Sequence, residues 1–292
     1  MRRIVFALTL LTATVSLLVP SMASAAKKKP VKYYVSLGDS YASGFQPGVK
    51  APNRNGFAYQ VPKAAAKRGY KLKLMNFGCG GATSKSILEE KLKKGAKCLG
   101  PDAPKFSGTQ IAAAEKFIKA NKKNVELVTV SIGGNDITKC AKEADAVACV
   151  GAALPVVEKN LTTLLTRVRK AGGSKVKIVG ITYPDVILGE WVQPTPNQGL
   201  ASLSLVAFQQ LINPMYKKAY EGAGGKFVDV TTATGAYTPL EQTTTDAKYG
   251  VIPVAVAKVC ELTYYCEKRD IHPKTAGYTI IADLVAKTLP KR

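Results

Sequence analysis

The sequence predicts an α/β fold: a parallel sheet with helices on both faces. Two observations carry this. Short β-branched, apolar segments alternate with longer segments of helical period, which is the pattern of strand–helix–strand units. Residues 125–132 are almost continuously apolar, as a strand buried on both sides of a parallel sheet must be. Connections of the expected length between parallel strands are right-handed. Neither an internal repeat nor a linker divides the chain, so residues 31–292 are expected to form a single domain.

The elements follow in order. Residues 31–37 are rich in Val and Tyr and read as the first strand, broken at once by Gly38. Residues 57–68 carry apolar and basic side chains at helical spacing, with Gly69 as a stop. Residues 71–77 form the second strand, and 78–84 a glycine-rich loop. A helix is expected over 85–94, irregular chain over 98–106 and an alanine-rich helix over 109–121. The third strand, 125–132, ends on Gly133-Gly134-Asn135-Asp136. Residues 140–149 read as a looped excursion, and 154–170 as an amphipathic helix before Gly172-Gly173. The fourth strand is 175–183. A loop over 191–199 precedes a long helix, 200–220, with a kink expected at Pro214. The fifth strand is 226–230. Residues 231–258, rich in threonine and small residues, read as a lid over the site. A loop over 260–270 and a closing helix over 274–289 complete the chain.

Residues 1–25 are set aside from the fold. Arg2 and Arg3, an apolar run over 4–19 and the small-residue site Ala23-Ser24-Ala25 have the form of a secretory signal peptide. The apolar run is short for a bilayer span, and after it no stretch reads as long and apolar enough to cross one. Residues 26–30 are a basic lead-in. An extracellular location follows, and the six cysteines agree with an oxidising compartment. Closing the shortest loops costs least, so the expected pairs are Cys79–Cys98, Cys140–Cys149 and Cys260–Cys266. Zinc is the poorer reading, because there is no C-x-x-C pair and only one histidine.

The formal charge is +22, and +20 once residues 1–25, with two arginines and no acid, are removed. Nucleic acid is the reflex partner for such a charge. Here the lysines are scattered over helix faces and no nucleic-acid motif accompanies them. A secreted protein also meets anionic cell walls, lipid headgroups and polyanions, and a solvated cationic surface that keeps the protein soluble accounts for the charge at least as well. Two details of the glycine-rich loop argue against nucleotide binding. Ser84 stands where a phosphate-binding loop needs glycine before lysine, and Thr83 fills the third glycine position of a dinucleotide fingerprint.

The chemistry gathers at the ends of strands. Ser40, in Gly38-Asp39-Ser40, is the candidate nucleophile at the carboxyl edge of the first strand, where open α/β sheets keep their ligands. A serine needs a base, and His272 is the only histidine. It sits in Asp270-Ile271-His272-Pro273, with an acid close by to orient the ring. Gly81 can offer an unobstructed backbone N–H, and Asn135 a side-chain amide. With the N–H of Ser40 they make three donors, as an oxyanion hole requires.

Four stretches carry a resemblance: Ser36-Leu37-Gly38-Asp39-Ser40-Tyr41-Ala42-Ser43-Gly44, Cys79-Gly80-Gly81-Ala82-Thr83, Ser131-Ile132-Gly133-Gly134-Asn135-Asp136 and Asp270-Ile271-His272-Pro273. In this order the chain resembles the secreted SGNH, or GDSL-type, hydrolases, in particular the actinobacterial lipase-like esterases. The resemblance implies a flavodoxin-like three-layer α/β/α sandwich with five parallel strands. It implies Ser40 as nucleophile, His272 as base, and Ser40, Gly81 and Asn135 as oxyanion donors. It differs at one point. The usual pattern places the acid three residues before the histidine, which here is Arg269. Either Asp270 reaches the imidazole, or a main-chain carbonyl near Arg269 replaces it. Asp39 and Asp136 read as positioning groups within their turns.

The expected activity is a metal-independent, cofactor-free secreted serine esterase or lipase, monomeric, acting on a small-molecule or lipid ester. The apolar residues 186–188 and 251–259 are expected near the site. Two alternatives are a carbohydrate acetylesterase on the same machinery and a non-catalytic, cationic cell-envelope binding protein.

Overall fold

The structure is a computed structural model that describes residues 30–50, 53–91, 98, 101 and 103–292; the expected signal peptide lies outside them. Strand β1 (Lys32–Gly38) runs into the single-turn helix α1 (Ser40–Ser43) and then α2 (Phe57–Ala66). Strand β2 (Leu72–Asn76) leads to α3 (Ser86–Glu89) and α4 (Gln110–Ala120). Strand β3 (Val125–Ser131) is followed by α5 (Gly134–Ile137), a 3₁₀ segment Thr138–Lys142 and α6 (Ala146–Gly172). After β4 (Lys177–Ile181) come a 3₁₀ segment Val186–Val192, α7 (Gln198–Ala207), a π-helical segment Phe208–Ile212 and α8 (Asn213–Gly222). Strand β5 (Lys226–Val228) precedes α9 (Val230–Ala233). An antiparallel ribbon of β6 (Thr243–Asp246) and β7 (Gly250–Pro253), then α10 (Val254–Leu262), α11 (Tyr265–Lys268) and α12 (Thr275–Lys287), ends the chain.

The first five strands pair in parallel in the order β2-β1-β3-β4-β5. Helices α2 and α12 pack together beside β2, while α4, α6 and α8 pack side by side against β1, β4 and β5. The result is the three-layer α/β/α architecture. Its core is made of fully buried residues of the central strands, such as Val35, Leu37, Leu127, Val128 and Val130, under helix residues such as Ile111, Ile118, Leu161 and Leu164. Strand order reverses between β1 and β3. A crevice opens at that switch point, at the carboxyl ends of the strands, and both Ser40 and Asn135 follow strands that border it.

Gly38 sets the spacing there. Its φ is 139°, and a Cβ would stand 2.0 Å from Ser131 O, so only glycine lets β1 approach β3 this closely at its last residue. Buried Gln110 completes the clamp from α4. Its Oε1 accepts from Gly38 N (2.8 Å) and its Nε2 donates to Gly38 O (2.9 Å).

Several elements differ from the sequence reading. Helix α6 starts at Ala146 rather than 154, capped by Asp145, whose side chain accepts from Ala148 N. It runs through Pro155 in its third turn, where the ring removes the bond that an N–H would make to Gly151 O. At 27 residues α6 is long and apolar enough, by length and composition, to span a bilayer, contrary to the expectation for the mature chain. Here its stripe of Val150, Leu154, Val157, Leu161, Leu164 and Val168 is buried in the sandwich. Of the helix expected over 85–94, the described residues form one turn, α3, and residues 92–94 lie outside them. The long helix breaks before Pro214 rather than at it. Pro214 enters the first turn of α8, where a missing N–H is harmless, and the π-helical turn over Phe208–Ile212 absorbs the mismatch. Residues 231–258 are no lid over the serine. They form α9, the β6–β7 ribbon and part of α10, and build a second small core of Leu188, Ala201, Ile252, Val256 and Val259. The stretch expected as a loop over 260–270 is mostly helical, in α10 and α11. The six cysteines pair as Cys79–Cys98, Cys140–Cys149 and Cys260–Cys266.

Candidate active site

Asp39 starts the site. It caps α1, its Oδ1 accepting from Tyr41 N (2.9 Å), and so turns the chain sharply after β1. Ser40 is thereby the first residue of a helix, where a backbone N–H has no partner within the helix. Asp39 itself is buried, and its Oδ2 accepts from Tyr183 Oη (2.6 Å). Burial pushes its carboxyl up to about 7, against the opposing hydrogen bonds of Tyr183 and Tyr41.

The histidine arrives from the other end of the chain. Tyr41 Oη donates to Ile271 O, and Gln46 Nε2 donates to Pro273 O (3.1 Å), tying the turn after β1 to residues 271–273. Tyr264 N donates to His272 O (3.0 Å). The ring of Phe45 meets the imidazole edge-on, with centroids 4.6 Å apart. Held this way, His272 Nε2 lies 2.7 Å from Ser40 Oγ, and Nδ1 lies 2.7 Å from Asp270 Oδ1. The same Asp270 oxygen accepts from His272 N (3.0 Å). A carboxylate can only accept, so Nδ1 carries the proton and Nε2 is left to accept from the serine hydroxyl. Burial holds the imidazole below its ordinary value, and the Asp270 hydrogen bond and charge oppose that shift.

Of the two open possibilities for the acid, the structure has Asp270 in contact. Arg269, at the position three before the histidine, points elsewhere. Its backbone is left-handed (φ 50°, ψ 30°) and closes α11 by donating from its N to Tyr265 O (2.8 Å). Its guanidinium Nη2 bonds both oxygens of buried Glu190, at 2.9 and 2.6 Å, and Glu190 also accepts from Tyr265 Oη (2.6 Å).

The expected donors take these places. Asn135 lies in α5, after the left-handed Gly133; one amide hydrogen goes to Ala82 O (2.8 Å), which leaves the other for a ligand. Gly81 is exposed, with φ 78° and no acceptor against its N–H among the described residues. The loop that carries it is held by Cys79 N donating to Gly38 O (3.0 Å). Asp136 fixes the same loop from α5, its carboxylate accepting from Ser84 N (2.8 Å) and Ser84 Oγ (2.9 Å). Gln110, Tyr183 and Glu190 support the site without appearing among the residues the sequence points to. Nothing local marks them, because their partners are far away in sequence.

A groove opens beside Ser40 and Asn135. Its walls are apolar: Ile137, Val150, Val186, Ile187, Phe208 and Ile212. Val186 and Ile187 line it as expected, whereas residues 251–259 do not; they belong to the second core and the ribbon. Among the described residues no cluster of ligand side chains could hold a metal ion.

A serine, an imidazole and a carboxylate thus lie in one hydrogen-bonded row at the sheet edge, beside the backbone N–H groups of Ser40 and Gly81. Residues 36–280 match the GDSL-like lipase/acylhydrolase family. The chain belongs to that family and is a carboxylic ester hydrolase. Among solved structures it is similar to an extracellular lipase from Streptomyces rimosus, with 18% identity, 88% of this chain and 99% of that chain covered, and a TM-score of 0.53. It is also similar to phospholipase A1 from Streptomyces albidoflavus NA297, with 20% identity, 89% and 99% covered, and a TM-score of 0.51. These likenesses are of fold. No curated protein matches the chain.

Proposed function

We propose that the protein is a secreted serine esterase of the lipase type. The observation that carries this is the contact of Ser40 Oγ with His272 Nε2, backed by Asp270 on Nδ1. Ser40 Oγ attacks the ester carbonyl while its proton passes to Nε2. The tetrahedral oxyanion is met by the N–H groups of Ser40 and Gly81 and the free amide hydrogen of Asn135. Each such donor is worth about 2.7–4 kcal/mol to the transition state. Asp270 stabilises the imidazolium. The C–O bond then breaks, and Nε2 returns the proton to the leaving alkoxide. Water, deprotonated by His272, attacks the acyl-serine; collapse of that intermediate releases the acid and restores Ser40.

Secretion is supported by the signal-type pattern of residues 1–25 and by the three disulfides. Residues 31–292 are read as one hydrolase domain, acting as a monomer without metal or cofactor. The apolar groove favours an ester with a hydrocarbon acyl chain over an acetylated polysaccharide, whose hydroxyls would find few partners there. Hydrolysis of p-nitrophenyl esters from acetate to palmitate, by wild type and by Ser40→Ala, tests the reading. Wild type should prefer the longer chains, and the variant should be inactive and unlabelled by a fluorophosphonate. Equal rates for the two proteins would sink the role of Ser40, and activity confined to acetyl esters would favour the polysaccharide alternative.

A further inference from the structure

Residues 191–216 contain no Asp, Glu, Lys, Arg or His, in a chain where Asp, Glu, Lys and Arg make up 21% of residues. Helix α7 lies in this stretch. Leu200, Leu203, Ser204 and Ala207, with Phe208 after it, line the groove beside Ser40. Their spacing is that of a single helix face. The helix is nevertheless badly covered. Only Ala201 is buried, while Leu203 is 50% and Val206 57% exposed. Across the groove, at the start of α6, Val147 is also a lining residue and is 51% exposed. Isolated apolar residues on a surface are ordinary. Here Leu203 and Val147, each half exposed, line one opening that leads to the serine, and Val206 is exposed on the same helix as Leu203.

Helix α7 is held on the body by few polar ties. Asn197 caps it, accepting from Leu200 N (2.9 Å), and Ser204 Oγ donates to buried Asp185 (2.8 Å). Its last turn passes into the π-helical segment. The surrounding charge suits an anionic surface. The protein carries +22, and Lys139 and Lys142 flank Ala141, another lining residue. Neither lysine has an ion-pair partner among the described residues, although Glu143 and Asp145 follow them in the chain.

We infer that α7, with Val147 opposite, is a docking edge for the surface of an anionic lipid aggregate, from which an acyl chain enters the groove at Ser40. The docked side chains enter the apolar layer, and the long-range positive field draws the protein to the headgroups. Delivery of the acyl chain to Ser40 rests on the esterase reading above; the docking does not.

The test uses the full secreted protein carrying Ser40→Ala, so that vesicles stay intact. Co-sedimentation is measured with phosphatidylglycerol vesicles and with phosphatidylcholine vesicles. Binding to the anionic vesicles should be stronger and should weaken as salt screens the charges. Adding Val206→Asp, at an exposed position that folding does not need, should weaken it roughly tenfold or more. Val206→Ser, which adds no charge, should weaken it in the same direction and separates lost apolar contact from repulsion. In the Ser40 background, the ratio of phosphatidylglycerol hydrolysis in vesicles to p-nitrophenyl acetate hydrolysis should fall with Val206→Asp. Absence of vesicle binding, equal binding to both lipids, or binding that ignores Val206 overturns the inference. So does a dimer in sedimentation velocity that Val206→Asp dissolves, since the face would then belong to a second copy. Tight binding by a protein that hydrolyses no ester would instead strike the esterase reading and leave the docking in place.

Discussion

Arg269 stands three residues before the histidine, and its replacement tests how Asp270 is held against His272. It is the one non-glycine with positive φ among the described residues, at 50°. A left-handed backbone costs an L-residue roughly 1–2 kcal/mol, a cost that glycine escapes. Arg269 also satisfies Glu190, whose side chain is 7% exposed while that of Arg269 is 61% exposed. Hydrogen bonds to a charged group are worth about 1.5–3 kcal/mol, and the exposure of the guanidinium argues for the lower end. Arg269→Ala should therefore lose about 1–3 kcal/mol, with Glu190 left to Tyr265 alone. Arg269→Gly should lose about 1 kcal/mol less, because the same contact is lost but the strain is relieved. Urea unfolding midpoints at unchanged m-value give the comparison. Both variants should let residue 270 wander and lower kcat, on the order of tenfold. They should also move the acidic limb of the rate profile downward, since Asp270 is what raises His272 against its burial. A glycine variant less stable than the alanine variant would refute the strain argument. Unchanged kcat and an unmoved limb in both would show that Arg269 does not position Asp270.

Three further outcomes are expected. The kcat/KM profile should fall on its acid side below the ordinary imidazole value of about 6.5, and Asp270→Asn should reduce kcat by on the order of 10⁴ by disturbing the tautomer, measured on a dissolved ester. Gly38→Ala should yield no folded protein, because the added Cβ meets Ser131 O. Gly81→Ala, with open space around its Cβ, should fold with a loss of about 1 kcal/mol from its positive φ, and thermal unfolding distinguishes the two. Asp185 is buried and its carboxyl is pushed up to about 7. Such a raised carboxyl contributes stability that is complete below its unfolded value and is lost as pH rises through about 7. Between pH 5 and 9, Asp185→Asn should gain about 2–3 kcal/mol relative to wild type; a gap that is constant with pH would contradict the burial of the charge.

The strands were readable one by one, because a buried parallel strand has to be apolar and each ends on a residue that breaks it. The helices were readable where one face is apolar, as in α2 and α4. Reading failed where distant packing decides. Helix α6 begins eight residues before its expected start because its first turns wall the groove. Residues 231–258 cover a second core instead of the serine. The π-helical turn before Pro214 has no signature of its own.

Chain chemistry alone determined the parallel α/β class, the small set of residues able to act at a strand end, and a single histidine to act with a serine. Local spacing could not say whether Asp270 or a carbonyl faces that histidine. In the fold Asp270 Oδ1 faces it, while Arg269 is drawn to Glu190, a residue far from it in the chain. The clamp of Gln110 on Gly38, the bond of Tyr183 to Asp39 and the groove walled by α6 and α7 have the same origin. Each joins groups far apart in the chain, so only the folded arrangement of the layers decides them.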